Sequence, residues 1–324
     1  MSRYFERTSI LFVIFFIFFS LRLTTFAQPE NTQYKSWTIP RTPWGDPDLQ
    51  GLWNNSTTTA LEKPPAFENK QFLSEAELTE LEQLARDRAE QPPRPGDTGS
   101  YNAFWFDRGN LLSRTSLIID PADGRLPPRT AAGELRASWE RGSASWRDRT
   151  LAERCITRGA PKRPGGYNNN FHIMQTPNLV IILQEMIHEV RFIFLDKRPH
   201  IPESIRQWTG SSRGRWENNT LVVETHNFKD DIVFNSYNCC PGSGSGLHLT
   251  ERFTLIDENT IDHQYTVTDP TTYTHPWTAA IPMRRFEGPL YEYACHEGNI
   301  GLKGILSGCL LYTSDAADEG LGVD

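Results

Sequence analysis

The stretch from Gly166 to Asn299 alternates between short β-type runs and tight turns, and this pattern restricts the fold more than any other feature of the sequence. Three pairs of runs are each separated by two or three residues that include asparagine, which tolerates the positive φ of hairpin turns. Successive hairpins without intervening helices predict an antiparallel sheet, and closing that sheet removes its exposed edges. We therefore expect a mainly β fold, an antiparallel up-and-down β-barrel or strongly curled sheet, over residues 166–308. The predicted hairpins pair His172–Thr176 with Leu179–Gln184, Arg215–Glu217 with Thr220–Thr225, and Leu249–Ile256 with Thr260–Thr268.

The first residues have the pattern of a secretory signal peptide. Two arginines precede an apolar run over residues 10–19, and Thr25-Phe26-Ala27 supplies a small-x-small cleavage site. An uncleaved anchor is the alternative, but the run is shorter than the roughly 20 apolar residues that a membrane-spanning helix needs. Residues 1–27 are therefore predicted to be removed. The mature protein is expected in the periplasm or outside the cell, without stable membrane insertion.

Residues 28–165 are predicted to form an N-terminal extension with a first strand, one helix and wrapping loops. The run Asp48–Trp53 is expected to be the entry to the first strand. Ser74, followed three residues later by Glu77, forms a capping box, and the leucines after it recur at helical spacing. The rest of the extension is rich in proline, glycine and arginine with scattered tryptophans, which is typical of ordered loops.

The cysteines predict disulfides. Residues 309–324 resemble the translation of a transposase-type sequencing adapter, so we predict that they do not belong to the natural chain and set Cys309 aside. The four remaining cysteines allow two disulfides with three connectivities. Adjacent cysteines bond rarely, yet Cys239-Cys240 lies in a Pro-Gly turn where that bond can form, and this choice pairs Cys155 with Cys295. The alternative, a thiolate nucleophile at Cys295, needs a reduced thiol in an oxidising compartment.

The charge of the chain argues against several classes of partner. The formal net charge is −7, and the sequence has no basic run. Because nucleic-acid binding depends on neutralising phosphates with Lys and Arg, no nucleic-acid partner is expected. No cationic amphipathic stretch indicates a membrane surface either. We expect a monomer whose partner is a small-molecule ligand.

Strand alternation indicates which polar side chains face the barrel interior, because successive side chains point to opposite faces. In the segment Gln184–Phe194 the even positions are the more apolar, and they include His188. The same reasoning places Glu251 and His263 inward on the last predicted hairpin. Buried polar groups need partners, and two histidines with one carboxylate form both a metal-ligand set and an acid–base set. His188, Glu251 and His263 are therefore the predicted catalytic residues and candidate metal ligands. The alternatives are ordinary hydrogen-bonded core residues or a register shifted by one.

Aromatic and amide side chains near the ends of the barrel region are candidate ligand-binding residues. Loops at a barrel mouth commonly carry specificity, and side chains of alternating strands line the interior. The predicted ligand-binding residues are Tyr167, Asn170, Tyr265, Tyr273 and Trp277. No phosphate loop, dinucleotide fingerprint or haem-attachment motif is present, so the motifs identify no cofactor.

Two resemblances add to this interpretation. Gly51-Leu52-Trp53 resembles the Gly-x-Trp of lipocalin-type barrels, where the tryptophan plugs one end of the barrel. A second resemblance is carried by the segments 42–53, 212–217, 220–225, 269–278 and 291–299 and covers nearly all of residues 28–308. In these segments the chain resembles a family of exported β-rich proteins of environmental bacteria that has no established activity. This resemblance implies export and the fold but no mechanism.

Three functions follow from these observations. The first is an exported β-barrel that binds a small, largely apolar molecule in its cavity, because the inward faces are rich in aromatic residues. The second is an enzyme on the same scaffold, a hydrolase, lyase or metal-dependent oxygenase that uses the predicted His/His/Glu set. The third is an envelope-associated structural or interaction protein with aromatic contact loops.

Overall fold

The computed structural model describes residues 37–91, 106–107, 109–137, 145–230, 240 and 243–308. The predicted signal peptide, the predicted adapter segment and Cys239 lie outside these residues. The elements below belong to one compact unit, Ile39–Asp324.

Within the described residues, ten strands form one sheet, and nine of them close into a barrel in which β10 pairs back to β1. The short strand β2 lies outside the ring and pairs with β10. The prediction of a mainly β fold with a barrel is confirmed. The strands are β1 (Gly51–Asn54), β2 (Ile118–Asp120), β3 (Asn170–Thr176), β4 (Leu179–Gln184), β5 (Glu189–Phe194), β6 (Ser211–Glu217), β7 (Thr220–His226), β8 (His248–Asp257), β9 (Thr260–Thr268) and β10 (Trp277–Arg285).

The three predicted hairpins are present as β3–β4, β6–β7 and β8–β9. Asn218, in the turn between β6 and β7, has φ +55°, a left-handed conformation that asparagine adopts more readily than most residues. The turn residues therefore set the register of these strand pairs locally.

One strand pair departs from the expected antiparallel order. Strands β5 and β6 are parallel and share the register pairs Ile193↔Ser212 and Phe194↔Arg213. The segment between them, residues 195–210, returns the chain to the end of the sheet at which β5 begins, as a parallel pair requires. The barrel is therefore mixed, with one parallel seam.

Strand β1 closes the barrel by pairing with β3 on one side and β10 on the other. Trp53 of β1 is fully buried, and its indole Nε1 donates to the Leu49 carbonyl at 2.9 Å. The guanidinium of Arg285 lies over the Trp53 ring, 4.3 Å from its centroid. The strand begins at Gly51, within the run Asp48–Trp53 that was predicted as its entry.

The helices lie outside the sheet. Helix α1 (Glu75–Ala89) begins with the predicted capping box, in which Ser74 and Glu77 satisfy each other's backbone amides. Helix α2 spans Ala131–Ala137, and a further helix is described over residues 300–308. None of the helices in the described part of the chain is long and apolar enough to cross a membrane.

A disulfide joins Cys155 to Cys295, with the two Cα atoms 5.6 Å apart. This is the pairing predicted for the two cysteines that flank the barrel strands. Cys240 is also disulfide-bonded. Disulfides persist in oxidising compartments and are rare in the cytosol, so the bond is consistent with a protein that functions outside the cytoplasm.

The predicted inward face of residues 184–194 holds for Gln184 and Met186, which are buried, but is wrong from His188 onward. The segment is two strands, β4 and β5, joined by a turn in which Ile187 and His188 have positive φ. This turn shifts the alternation by one residue, so Arg191 and Ile193 point inward while Val190 and Phe192 are exposed. The predicted inward faces of β8 and β9 are confirmed by their buried odd-numbered residues.

Candidate functional site

A layer of polar side chains crosses the barrel between two apolar clusters. It contains Arg191 of β5, Glu251 of β8 and His263 of β9, together with the hydroxyls of Ser212 and Thr225. All five side chains are buried. Along β8 and β9, the inward-facing neighbours on one side of the layer belong to one apolar cluster and those on the other side to the second. The polar layer therefore lies in the middle of the core.

Glu251 is the centre of this layer. The Arg191 guanidinium binds both of its oxygens, with Nη2 2.5 Å from Oε2 and Nη1 3.2 Å from Oε1. His263 Nε2 lies 3.2 Å from Oε1. Burial raises the pKa of Glu251, but the charge of Arg191 and the hydrogen bonds from His263 and Arg191 outweigh burial and lower the pKa to about 2. Glu251 is therefore a carboxylate near neutral pH.

The space beside the layer is small. A cavity of about 20 Å³ is lined by Arg191, Glu251 and His263, among others, and such a volume holds about one water molecule. A carboxylate hydrogen-bonded to an imidazole is an arrangement suited to acid–base chemistry. Here, however, the guanidinium already satisfies both carboxylate oxygens. A reactant larger than water does not fit in this cavity as the described residues form it.

The wall of the barrel opens where the parallel seam ends. Towards the first residues of β5 and β6 the two strands separate and leave a cleft of about 210 Å³, which we call the wall cleft. Arg191 lines both the wall cleft and the inner cavity, so its side chain separates the two spaces. The wall cleft is lined by Val190, Arg191, Phe192, Phe194, Ile201, Gln207, Thr209, Gly210, Ser211, Ser212 and Arg213.

A second opening, of about 150 Å³, lies around Tyr167 and also includes Phe106. Lys162 lines both this pocket and the inner cavity. Its side chain is buried and donates to Asn169 Oδ1 at 2.8 Å. Burial and, to a lesser degree, the charge of Arg158 lower the pKa of Lys162 to about 7, although Asp107 and Glu185 oppose the shift. A lysine with this pKa exchanges its proton near neutral pH.

The other predicted ligand-binding residues have structural surroundings. Tyr265, Tyr273 and Trp277 are buried in one apolar cluster, where the Trp277 ring makes edge contacts with both tyrosines. Asn170 accepts from Asn54 and donates to Glu185. These four residues do not line the wall cleft, and of the predicted set Tyr167 alone lies in one of the openings described above.

The structure brings together two of the three predicted catalytic residues. Glu251 and His263 are in contact, whereas His188 is exposed in the turn before β5 and its Nδ1 lies 3.1 Å from the Tyr293 carbonyl. The inward placement predicted for His188 is wrong, because the turn reverses the alternation. Sequence reasoning missed Arg191 for the same reason. The segment Gln184–Phe194 is longer than a common strand of about 5–6 residues, and this length was a signal that a turn could interrupt it.

A different set of side chains has the composition of a metal site. His200, Glu224 and His226 each offer one ligand atom, and these atoms lie within 4.8 Å of one another. The predicted set of His188, Glu251 and His263 does not meet that condition among the described residues. The missed signal was the spacing of Glu224 and His226, because residues two apart on a strand share a face.

No protein-family model matches this chain, and no curated protein matches it. Among solved structures, a crystal structure of a point mutant of the fluorescent protein UnaG matches with 14% identity, over 37% of this chain and 72% of that chain, at a TM-score of 0.22. A TM-score this low supports no conclusion about the fold or function of the chain. The description of the barrel rests on its strand pairing.

Proposed function

We propose that this protein binds a small, largely apolar molecule in the wall cleft. The observation that carries the proposal is an apolar surface left uncovered at a break in the barrel wall. Phe192 is 53% exposed and Val190 40% exposed, and both lie beside Phe194 and Ile201 in the same cleft. Concave sites lined by apolar side chains with a few polar groups are the usual form of small-molecule sites.

The wall cleft is a better place for the ligand than the barrel interior. The two apolar clusters and the polar layer fill the interior and leave about 20 Å³ beside Glu251, whereas the cleft offers about 210 Å³. We therefore place the ligand in the wall cleft and not in the central cavity that the sequence suggested.

The floor of the cleft supplies a polar anchor. Arg191 lies there, and its Nε is buried without a hydrogen-bond partner among the described residues. Ser212 lies beside it and receives a hydrogen bond from Arg191 Nη2 at 3.3 Å. A ligand with an apolar body and one polar group fits this combination, because the cleft is lined by apolar side chains and by the polar side chains of Arg191 and Ser212.

The rim of the cleft is fixed by Arg213. Its guanidinium donates to the backbone carbonyls of Arg198, Pro199 and Ser212, at 2.7–3.2 Å. Both Arg213 and Arg198 also lie against the Phe194 ring, 5.3 and 4.2 Å from its centroid. Arg213 therefore holds the segment before β6 in place, which preorganises the cleft for a ligand.

Export is part of the proposal. The disulfide between Cys155 and Cys295 supports a periplasmic or secreted protein, because such bonds persist in oxidising compartments. The apolar probe below is therefore added to protein purified under oxidising conditions.

Ligand-observed NMR with indole as the probe tests the proposal. We expect saturation transfer from the protein to indole, and at least about a tenfold weaker affinity in Phe192→Asp, because the new carboxylate places charge in the apolar part of the cleft. Phe72→Asp is the matched control, since Phe72 is 54% exposed and does not line the cleft. Equal affinity in the two variants, or no transfer to indole in the unmodified protein, would contradict the proposal.

A further inference from the structure

The outer face of the barrel wall gathers three side chains that commonly bind metals. Glu224 and His226 are two residues apart on β7, so both point away from the barrel interior. His200 comes from the segment that connects β5 to β6 and reaches the same place. One ligand atom from each residue lies within 4.8 Å of the others.

Hydrogen bonds prepare two of these side chains for a cation. His200 Nδ1 lies 2.9 Å from the Ser211 carbonyl, which can only accept, so Nδ1 carries the proton and Nε2 keeps its lone pair. A carbonyl on the second ring nitrogen is the usual support for a metal-binding histidine. Arg215 Nη1 donates to Glu224 Oε1 at 2.8 Å, which leaves the other carboxylate oxygen for a metal.

A third histidine adds to the crowding. The His226 ring lies 4.4 Å from the His200 ring and 4.1 Å from the His248 ring, centroid to centroid. The three rings therefore lie close together on the outer face of the barrel wall, although His248 is not one of the three residues whose ligand atoms meet.

We propose that His200, Glu224 and His226 bind one divalent transition-metal ion, with zinc as the probe of choice. Imidazole and carboxylate suit zinc and its first-row neighbours. Bond lengths of about 2.0–2.1 Å place tetrahedral ligand atoms about 3.3 Å apart, so a modest rotation of the side chains completes the site. Three protein ligands leave one coordination position for water or a bound molecule, as in catalytic sites.

The metal site adjoins the wall cleft but does not depend on it. Ser211, whose carbonyl orients His200, lines the cleft, and so does Ile201. Phe192→Asp is expected to keep the metal, and His226→Gln is expected to keep indole. Failure of one proposal is therefore distinguishable from failure of the other.

Zinc titration of protein freed of metal by dialysis against a chelator, without a histidine tag, tests the inference. Isothermal titration calorimetry is expected to show one zinc per chain. His226→Gln and His200→Gln are each expected to weaken zinc binding by at least about 100-fold, because the loss of a group that only supports a ligand already weakens metal binding by up to about that factor. Zinc is also expected to raise the melting temperature of the unmodified protein and not of His200→Gln, whose change lies in a connecting segment.

His275→Gln is the matched control. His275 is exposed, and its Nδ1 lies 3.2 Å from the Pro276 carbonyl, so it resembles His200 in its hydrogen bond but lies outside the group. This variant is expected to bind zinc as tightly as the unmodified protein. Adventitious binding only, with equal affinity in His226→Gln, His200→Gln and His275→Gln, overturns the proposal.

Discussion

At the scale of single residues, the buried charge of Glu251 is the feature that most needs explanation. Taking a carboxylate out of water costs several kcal/mol after relaxation, and it is tolerated only with well-placed partners. Glu251 has three such contacts, two from Arg191 and one from His263. The ion pair makes the fold more stable than a variant in which one partner is missing. It does not make the fold more stable than apolar residues of the same volume at both positions, because such replacements are commonly neutral or stabilising.

Arg191→Met tests this arrangement, because it leaves the buried carboxylate without its guanidinium partner and with the contact to His263 alone among those described above. We expect the free energy of unfolding at neutral pH to fall by about 3–5 kcal/mol. Chemical denaturation gives this value. The control is Arg252→Met, since Arg252 neighbours Glu251 on β8 but forms an exposed pair with Glu217 at 3.0 Å. A similar loss in both variants would count against the role of Arg191.

The contribution of Glu251 to the pH dependence of stability should have opposite signs in the two proteins. In the unmodified protein the folded-state pKa of Glu251 is about 2, below its ordinary 4.5, so its contribution is present above pH 4.5 and is lost as pH falls towards 2. In Arg191→Met, burial dominates and raises the pKa of Glu251. The variant should therefore lose stability as pH rises. Denaturation midpoints across this range measure both slopes, and parallel curves would contradict the assignment.

At the scale of elements, the parallel seam between β5 and β6 is one of two short strand pairings in the barrel wall, and the β1–β10 closure is the other. Its two register pairs hold strands that separate on either side, whereas β6 and β7 pair along their whole length. Gly214 allows the close approach of β6 to its neighbours. A Cβ added there would lie 2.7 Å from Ile193 Cγ2 and 2.7 Å from Leu195 Cδ2.

Gly214→Ala is expected to lower the free energy of unfolding by about 1–3 kcal/mol, because the added methyl overpacks the seam. Gly301→Ala is the control, since Gly301 lies in the helix over residues 300–308 and an added Cβ meets nothing within 4 Å. That variant is expected to be neutral or slightly more stable, because alanine favours helices. Thermal denaturation compares the two variants. A melting temperature of Gly214→Ala equal to that of the unmodified protein would show that the seam can widen.

At the scale of the whole molecule, the disulfide between Cys155 and Cys295 encloses every strand from β3 to β10. The two cysteines are 140 residues apart in the chain. Asn299 reinforces the junction by donating to the Glu153 carbonyl at 2.9 Å. Linking distant positions restricts the unfolded chain, so the bond stabilises the fold mainly by that route in the chain-entropy account.

Replacing both cysteines by serine is expected to lower the free energy of unfolding by about 2–5 kcal/mol. The measurement is chemical denaturation of the double variant in oxidising buffer. Reduction of the unmodified protein is a weaker test, because Cys240 is disulfide-bonded as well. If the double variant unfolds at the same denaturant concentration as the unmodified protein, the bond does not contribute to stability.

The sequence by itself determined the features that depend on neighbouring residues. Hairpins follow from turn residues such as Asn218, helix α1 follows from Ser74 and Glu77, and the inward faces of β8 and β9 follow from alternation. Each of these depends on contacts between residues a few positions apart. Local propensity and alternation therefore predicted most of the strands and the placement of Glu251 and His263.

Only the tertiary structure decided which distant side chains meet. Arg191 reaches Glu251 because the turn at Ile187 and His188 reverses the face of β5, and sequence periodicity does not reveal such a shift. His200 reaches β7 because the segment after β5 returns beside it to form a parallel pair. The free energy that selects these arrangements comes from packing and pairing between residues far apart in the chain, which no local pattern encodes.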